Sequence, residues 1–178
     1  ILTDPNLPSG TDRIYAAYKK IKNPAKYIIN LQGDMPLIKP SHIQKVLEPI
    51  KNNFKIGTLA TNLKKNQLQN PNITKIEIDW KNNNIGNSKN FFRIKKLINN
   101  DNTYHHVGIY SFTSESLREF IELPKSKNEI SLNLEQYRAM DAKFKIWVVY
   151  IPDIPISIDT KEDLINAENI IRGLDEKN

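Results

Sequence analysis

The chain contains no cysteine, which excludes disulfides and thiolate chemistry and removes any support for secretion. No apolar run is long enough to span a bilayer, so no membrane insertion is expected. The first residues, Ile1-Leu2-Thr3-Asp4, show no basic region of the kind that opens a signal peptide. A cytoplasmic location is therefore expected. Glycine is scarce, with six in 178 residues. None falls into G-x-x-x-x-G-K-S/T or G-x-G-x-x-G, so neither phosphate-cradling loop is present. The three histidines form no H-x-x-x-H or H-E-x-x-H pattern, which leaves metal ligation by histidine unsupported. Arginine is scarce too: five of 26 basic residues.

That last scarcity bears on the net charge of +6. A basic chain invites a nucleic-acid partner. Here the lysines are scattered rather than striped. Lys, Asn and Ile all have AT-rich codons, so a biased genome accounts for a pI near 9.3 at least as well. No nucleic acid is expected as a partner, although a general affinity for phosphate-bearing substrates stays open.

What is present fits one globular domain over residues 1–178, with 39% hydrophobic and 26% charged residues. Ser9-Gly10-Thr11-Asp12 caps a helix carrying Ile14, Ala17, Tyr18 and Ile21, which Asn23-Pro24 ends. A strand over Tyr27–Leu31 precedes a helix from about Ser41, then a buried strand over Ile56–Thr61. This alternation predicts an α/β domain with a largely parallel sheet. Ile73 to Trp80 reads as a strand, with Asn82-Asn83-Asn84 turning it into a hairpin. Asn99 to Thr103 reads as a mobile polar loop. His106–Phe112 and Ile146–Ile151 read as strands. Short helices are expected around Leu117 to Ile121 and over Leu132–Met140. Thr160 and Asp163 form a capping box before a last helix to about Arg172.

The segment I-I-N-L-Q-G-D-M-P-L-I, Ile28 to Ile38, is a buried-type strand that stops at Gly33 and sets Asp34 just beyond it. Ligand sites in open α/β sheets lie outside such strand ends, and a carboxylate there suits a hard cation. On this segment alone, a simple turn at Gly33-Asp34 is the better account. Asp159 stands at a comparable junction, and the two carboxylates repel unless a cation such as Mg²⁺ lies between them. Alone, Asp159 reads as a helix N-terminal residue favoured by the dipole. Ser9, Gly10, Thr11 and Arg13 gather near a helix N-terminus, which suits anions or plain capping. His106 and Tyr110 share a strand face and suit a polyhydroxylated ligand or simple packing. Glu135 and Gln136 sit on an expected helix, as a solvated face or against a polar pocket.

In order, L-T-D-P-N-L-P-S-G-T-D-R-I, I-I-N-L-Q-G-D-M-P-L-I, Y-H-H-V-G-I-Y, N-L-E-Q-Y-R-A-M and I-D-T-K-E-D-L resemble the 3-deoxy-manno-octulosonate cytidylyltransferase (CMP-Kdo synthetase) family. The resemblance runs from the first residue to about Ile171. It implies a nucleotide-diphospho-sugar transferase fold: a Rossmann-like mixed sheet flanked by helices, with a β-hairpin portion for dimerisation and sugar binding. It implies transfer of CMP from CTP to 3-deoxy-D-manno-octulosonate (Kdo) for lipopolysaccharide synthesis, with Mg²⁺ as cofactor and a homodimer as the assembly. By motif, Asp34 and Asp159 match the metal-binding, catalytic carboxylates. Gln32, Arg93, His106, Tyr110, Glu135 and Gln136 match sugar-binding positions. Ser9, Gly10, Thr11 and Arg13 fall in the motif that borders the family's nucleotide and sugar pockets.

The sequence departs from the family at three places. The N-terminal strand and triphosphate-gripping loop are absent, so the chain reads as N-terminally truncated. Met35 follows Q-G-D where an acidic residue is usual. The stretch before Arg93 matches poorly. A catalytically inactive remnant is the alternative that the first departure raises.

Overall fold

The computed structural model describes residues 1–22, 24–94, 102–158 and 160–175. The chain runs α1 (Gly10–Tyr18), β1 (Tyr27–Asn30), α2 (Pro40–Lys51), β2 (Ile56–Asn62), β3 (Lys75–Trp80), β4 (Ile85–Phe92) and β5 (Thr103–Thr113). It continues with α3 (Ser114–Glu122), α4 (Lys127–Leu132), α5 (Gln136–Asp141), β6 (Ile146–Tyr150) and α6 (Lys161–Asp175).

The strands form one sheet in the order β1-β5-β2-β6-β4-β3. It is mixed, not largely parallel. Among the described strands only β2 and β6 pair in parallel, from Ile56 opposite Ile146 to Ala60 opposite Tyr150. Strand β5 runs antiparallel between β1 and β2 and separates the two strands whose alternation with helices suggested direct pairing. The β3–β4 hairpin explains the reversal, because it turns the chain before β5 enters. Asn82 makes that turn by accepting from the N–H groups of Asn84 and Ile85, both at 3.0 Å. Strand β3 also pairs with the start of β5, so β5, β2, β6, β4 and β3 close into a ring. Trp80, Tyr104 and Tyr150, from three of these strands, meet edge to face at 5.2–6.5 Å.

Both faces of the sheet are covered. Val46 of α2 packs on Leu59, Val107, Ile109 and Val149 on one face. On the other, Leu117 and Phe120 of α3 and Ala139 of α5 pack on Ile28, Ile56 and Phe112, with Ile14 and Tyr18 of α1 at the margin. Helix α1 ends at Tyr18, before the stop expected at Asn23-Pro24, and Ile21 beyond it is 44% exposed. Residue 23 lies outside the described residues, as do 99–101 of the expected polar loop; Thr103 already belongs to β5. The helix expected over Leu132–Met140 is two helices. Asn133 adopts φ 52°, the left-handed region that Asn tolerates, and ends α4 there. The capping box before α6 is formed: Asp163 N–H donates to Thr160 Oγ1 at 3.2 Å, and Thr160 N–H to Asp163 Oδ2 at 2.8 Å.

Candidate active site

The site gathers where β1 ends. Asn30 of β1 and Thr58 of β2 both stand opposite Tyr110 of β5. The pairing of β2 with β5 jumps from Thr58–Tyr110 to Leu59–Val107, a bulge on β5 at Gly108-Ile109. The bulge does not part His106 from Tyr110: the phenol oxygen lies 2.9 Å from His106 Nε2.

Two hydrogen-bond chains meet there. In one, Gln136 donates through Nε2 to the Tyr110 oxygen at 2.7 Å, which leaves the phenol proton for His106 Nε2. Thr58 Oγ1 lies 3.0 Å from the same nitrogen and donates to the Ile109 carbonyl at 2.8 Å. Burial, then the neighbouring His105, pushes the His106 pKa down to about 3, so the ring is neutral at physiological pH. Burial likewise pushes the Tyr110 phenol upward, so it keeps its proton. Phe91 meets the His106 ring edge to face at 5.2 Å.

In the other chain, Gln32 donates to Asn30 Oδ1 at 3.1 Å, and Asn30 donates to Thr11 Oγ1 at 3.1 Å. Thr11 then donates to Glu135 Oε2 at 2.7 Å. Gly10 adjoins the Gln32 amide: a Cβ there would lie 3.4 Å from Gln32 Oε1, an ordinary contact. Glu135 occupies the N-cap position of α5 in a helical conformation and makes no capping bond, so its carboxylate is free to face α1. Thr11, Tyr110, Glu135 and Gln136 line a narrow cleft with room for about one water. Glu135 Oε1 and Gln136 Oε1 are buried there without hydrogen-bond partners.

Asp34 lies in the turn after β1, with Met35 N–H donating to the Gln32 carbonyl at 3.4 Å. Its Oδ1 is also buried without a partner. Ile158 N–H donates to the Asp34 carbonyl at 2.8 Å, which joins this turn to the segment before α6. Asp159 itself lies outside the described residues. The joined segments are tied again where Asp153 bonds Lys39 and, at 3.3 Å, His42 Nε2. Met35 is 8% exposed and packs beneath the turn with Val46 and Val107.

Other candidates lie outside these chains. Ser9 caps α1 by accepting from Asp12 N–H at 3.2 Å. Arg13 donates to the carbonyls of Asp4 and Pro5 at 3.1 and 2.8 Å and braces the opening loop. Arg93 is exposed and donates to the Pro71 carbonyl at 3.1 Å. Its own carbonyl accepts at 2.6 Å from Lys75, a buried lysine whose pKa burial lowers.

Asn30 and Thr58 had no sequence signal of their own, being ordinary in strands; only pairing across the sheet discloses them. Arg138, within N-L-E-Q-Y-R-A-M, was no site candidate, and its guanidinium lies 3.7 Å from Glu135 Oε1.

The mixed sheet covered on both faces, with a polar site where β1 ends, is the architecture of the nucleotide-diphospho-sugar transferases whose solved structures it matches. A solved structure of CMP:2-keto-3-deoxy-manno-octonic acid synthetase complexed with CTP superposes with a TM-score of 0.85 at 25% identity, covering 97% of this chain and 72% of that one. UDP-glucose pyrophosphorylase shares the fold at 16% identity and a TM-score of 0.60. The chain belongs to the cytidylyltransferase family, whose model matches residues 1–146. It is 37% identical over 172 residues to the 3-deoxy-manno-octulosonate cytidylyltransferase of Rickettsia bellii, covering 94% of this chain and 68% of that one. The enzyme of the same name from Nitrobacter winogradskyi is 35% identical over 183 residues, with 96% and 69% covered.

Proposed function

We propose that this chain carries out CMP transfer from CTP to Kdo. The anomeric hydroxyl oxygen bonds to the α-phosphorus, the bond to the β-phosphate bridge breaks, pyrophosphate leaves, and the hydroxyl proton is released. The observation that carries this reading is a pair of buried acceptors without a hydrogen bond on one cleft: Gln136 Oε1, and Glu135 Oε1, which faces an Arg138 Nη at 3.7 Å. The cleft has room for about one water, so it takes a single hydroxyl of a polyhydroxylated ligand, which supplies the O–H donor that such acceptors lack. Tyr110 lines the cleft with neutral His106 behind it at 2.9 Å, so this side adds no charge. By motif, Gln32 stands on the sugar side and Arg93 offers a fork for the sugar acid's carboxylate.

The unpartnered Asp34 Oδ1 fits a hard cation, and by motif Asp34 and Asp159 would hold Mg²⁺. When bound, the ion supplies charge neutralisation at the phosphates. The residues themselves orient the sugar hydroxyl and exclude water around it. A homodimer in the cytoplasm completes the reading, and sedimentation measures the assembly.

The test is pyrophosphate release. Release that needs CTP, Kdo and Mg²⁺ together is expected. Release independent of Kdo, or preference for UTP with glucose-1-phosphate, overturns the reading.

A further inference from the structure

Arg138 is a buried charge beside the site, 3% exposed. Its guanidinium grips buried Glu129 of α4 by two groups: Nε to Oε1 and Oε2 at 3.1 and 3.0 Å, and an Nη to Oε1 at 2.6 Å. That Nη lies 3.7 Å from Glu135 Oε1, and the other lies 4.0 Å from Asp12 Oδ2. The cation also rests over the Phe120 ring at 5.0 Å. Three carboxylates from α4, the α5 cap and α1 thus face one cation. Two of them continue into the site region: Glu135 accepts from Thr11, and Asp12 accepts from Ser9 at 2.6 Å.

We propose that Arg138 is a positioning residue, anchored on Glu129, whose guanidinium balances the carboxylates of Glu135 and Asp12, so that Glu135 Oε2 keeps its bond from Thr11 and Oε1 stays on the cleft within reach of a ligand hydroxyl. The physical reason is charge balance. Without a cation between them, Glu135 and Asp12 repel, and Glu135 turns toward solvent, breaking its bond to Thr11. The fork geometry matters as well as the charge. A lysine is a compact point charge that cannot hold Glu129 through two groups while facing two further carboxylates. The role rests on the function proposed above only in naming the hydroxylated ligand as Kdo.

The experiment uses the full chain with Arg138→Lys and Glu129→Gln. Glu129→Gln keeps the volume and an acceptor, so it reads the anchor even where the lysine variant folds poorly. Both variants are expected to raise KM for Kdo about tenfold or more, the loss expected for a charge-assisted hydrogen bond, with KM for CTP nearly unchanged. The Thr11 methyl resonance is expected to move in both, in the direction it takes in Glu135→Gln. A Thr11 resonance that stays in place in both variants, or KM values for Kdo and CTP that rise together, overturns the positioning role. A wild-type chain that releases no pyrophosphate while the Thr11 resonance still shifts in the variants refutes the proposed reaction and leaves the positioning role supported.

Discussion

The backbone N–H of Ile158 donates to the carbonyl oxygen of Asp34 at 2.8 Å, and this one bond fastens the loop after β1 to the segment before α6. The two segments are far apart in sequence. The carboxylate of Asp34 is therefore set on a turn held from two sides, with one oxygen buried and unpartnered. Asp34→Asn keeps the shape and removes the charge. We expect it to raise the Mg²⁺ needed for half-maximal rate by at least roughly 10–100-fold, the loss typical of even an outer ligand. Calorimetric titration with Mg²⁺ checks the affinity directly, and an unchanged affinity would remove Asp34 from the metal site.

Tyr110 both accepts from Gln136 and reaches His106. Tyr110→Phe leaves the Gln136 amide without its acceptor in a nearly closed cleft. The expected cost is about 1–3 kcal/mol of stability. KM for Kdo should rise while KM for CTP holds, because the phenol lies on the Glu135 side. Urea unfolding and steady-state kinetics test the two halves separately.

His106 and His105 titrate below the usual range, to about 3 and about 4, both chiefly through burial. The unfolded chain binds these protons near pH 6.5 and the folded chain does not. Stability from keeping the rings neutral is fully present above that pH and is lost as pH falls toward the folded values. Between pH 6 and 4.5, stability should fall with acidification. His106→Gln cannot take the proton, so its slope should be shallower by up to about 1.4 kcal/mol per pH unit. Chemical denaturation at several pH values measures both slopes; identical slopes would place the His106 pKa in its ordinary range.

Two glycines should behave oppositely. A Cβ on Gly57 would lie 2.5 Å from Ser111 Oγ and 2.8 Å from the Val46 carbonyl, the two partners of a buried hydrogen bond at 2.5 Å. Gly57→Ala is expected to cost about 1–3 kcal/mol through overpacking. A Cβ on Gly33 meets nothing within 4 Å, and no described glycine has positive φ. Gly33→Ala should change stability by less than about 0.5 kcal/mol. Thermal melts of the two variants decide it, and equal losses would overturn the reading that a side chain at Gly33 meets open space.

Much of the architecture is legible in local pattern. Helical spacing, capping residues and apolar runs mark nearly every element, and the Asn82 turn and the Thr160–Asp163 box formed as their side chains required. The pattern misled in three places. It carried α1 too far, because Ile21 continues the spacing that Asn23-Pro24 was expected to end. It missed the break at Asn133, since one left-handed residue does not disturb periodicity. It also misjudged strand direction, because burial of a strand is the same whichever way its neighbour runs.

By itself, the sequence determined the kinds of element and the chemical inventory: which carboxylates, amides and rings stand near strand and helix ends. Those are local properties, set by spacing and side-chain type. Only the tertiary structure decided that β5 lies antiparallel between β1 and β2, which sets Tyr110 between Asn30 and Thr58. It alone joined Thr11 to Glu135, Ile158 to Asp34, and Arg138 to three carboxylates. Such contacts depend on how a sheet closes over long stretches of chain, and no window of neighbouring residues encodes that closure.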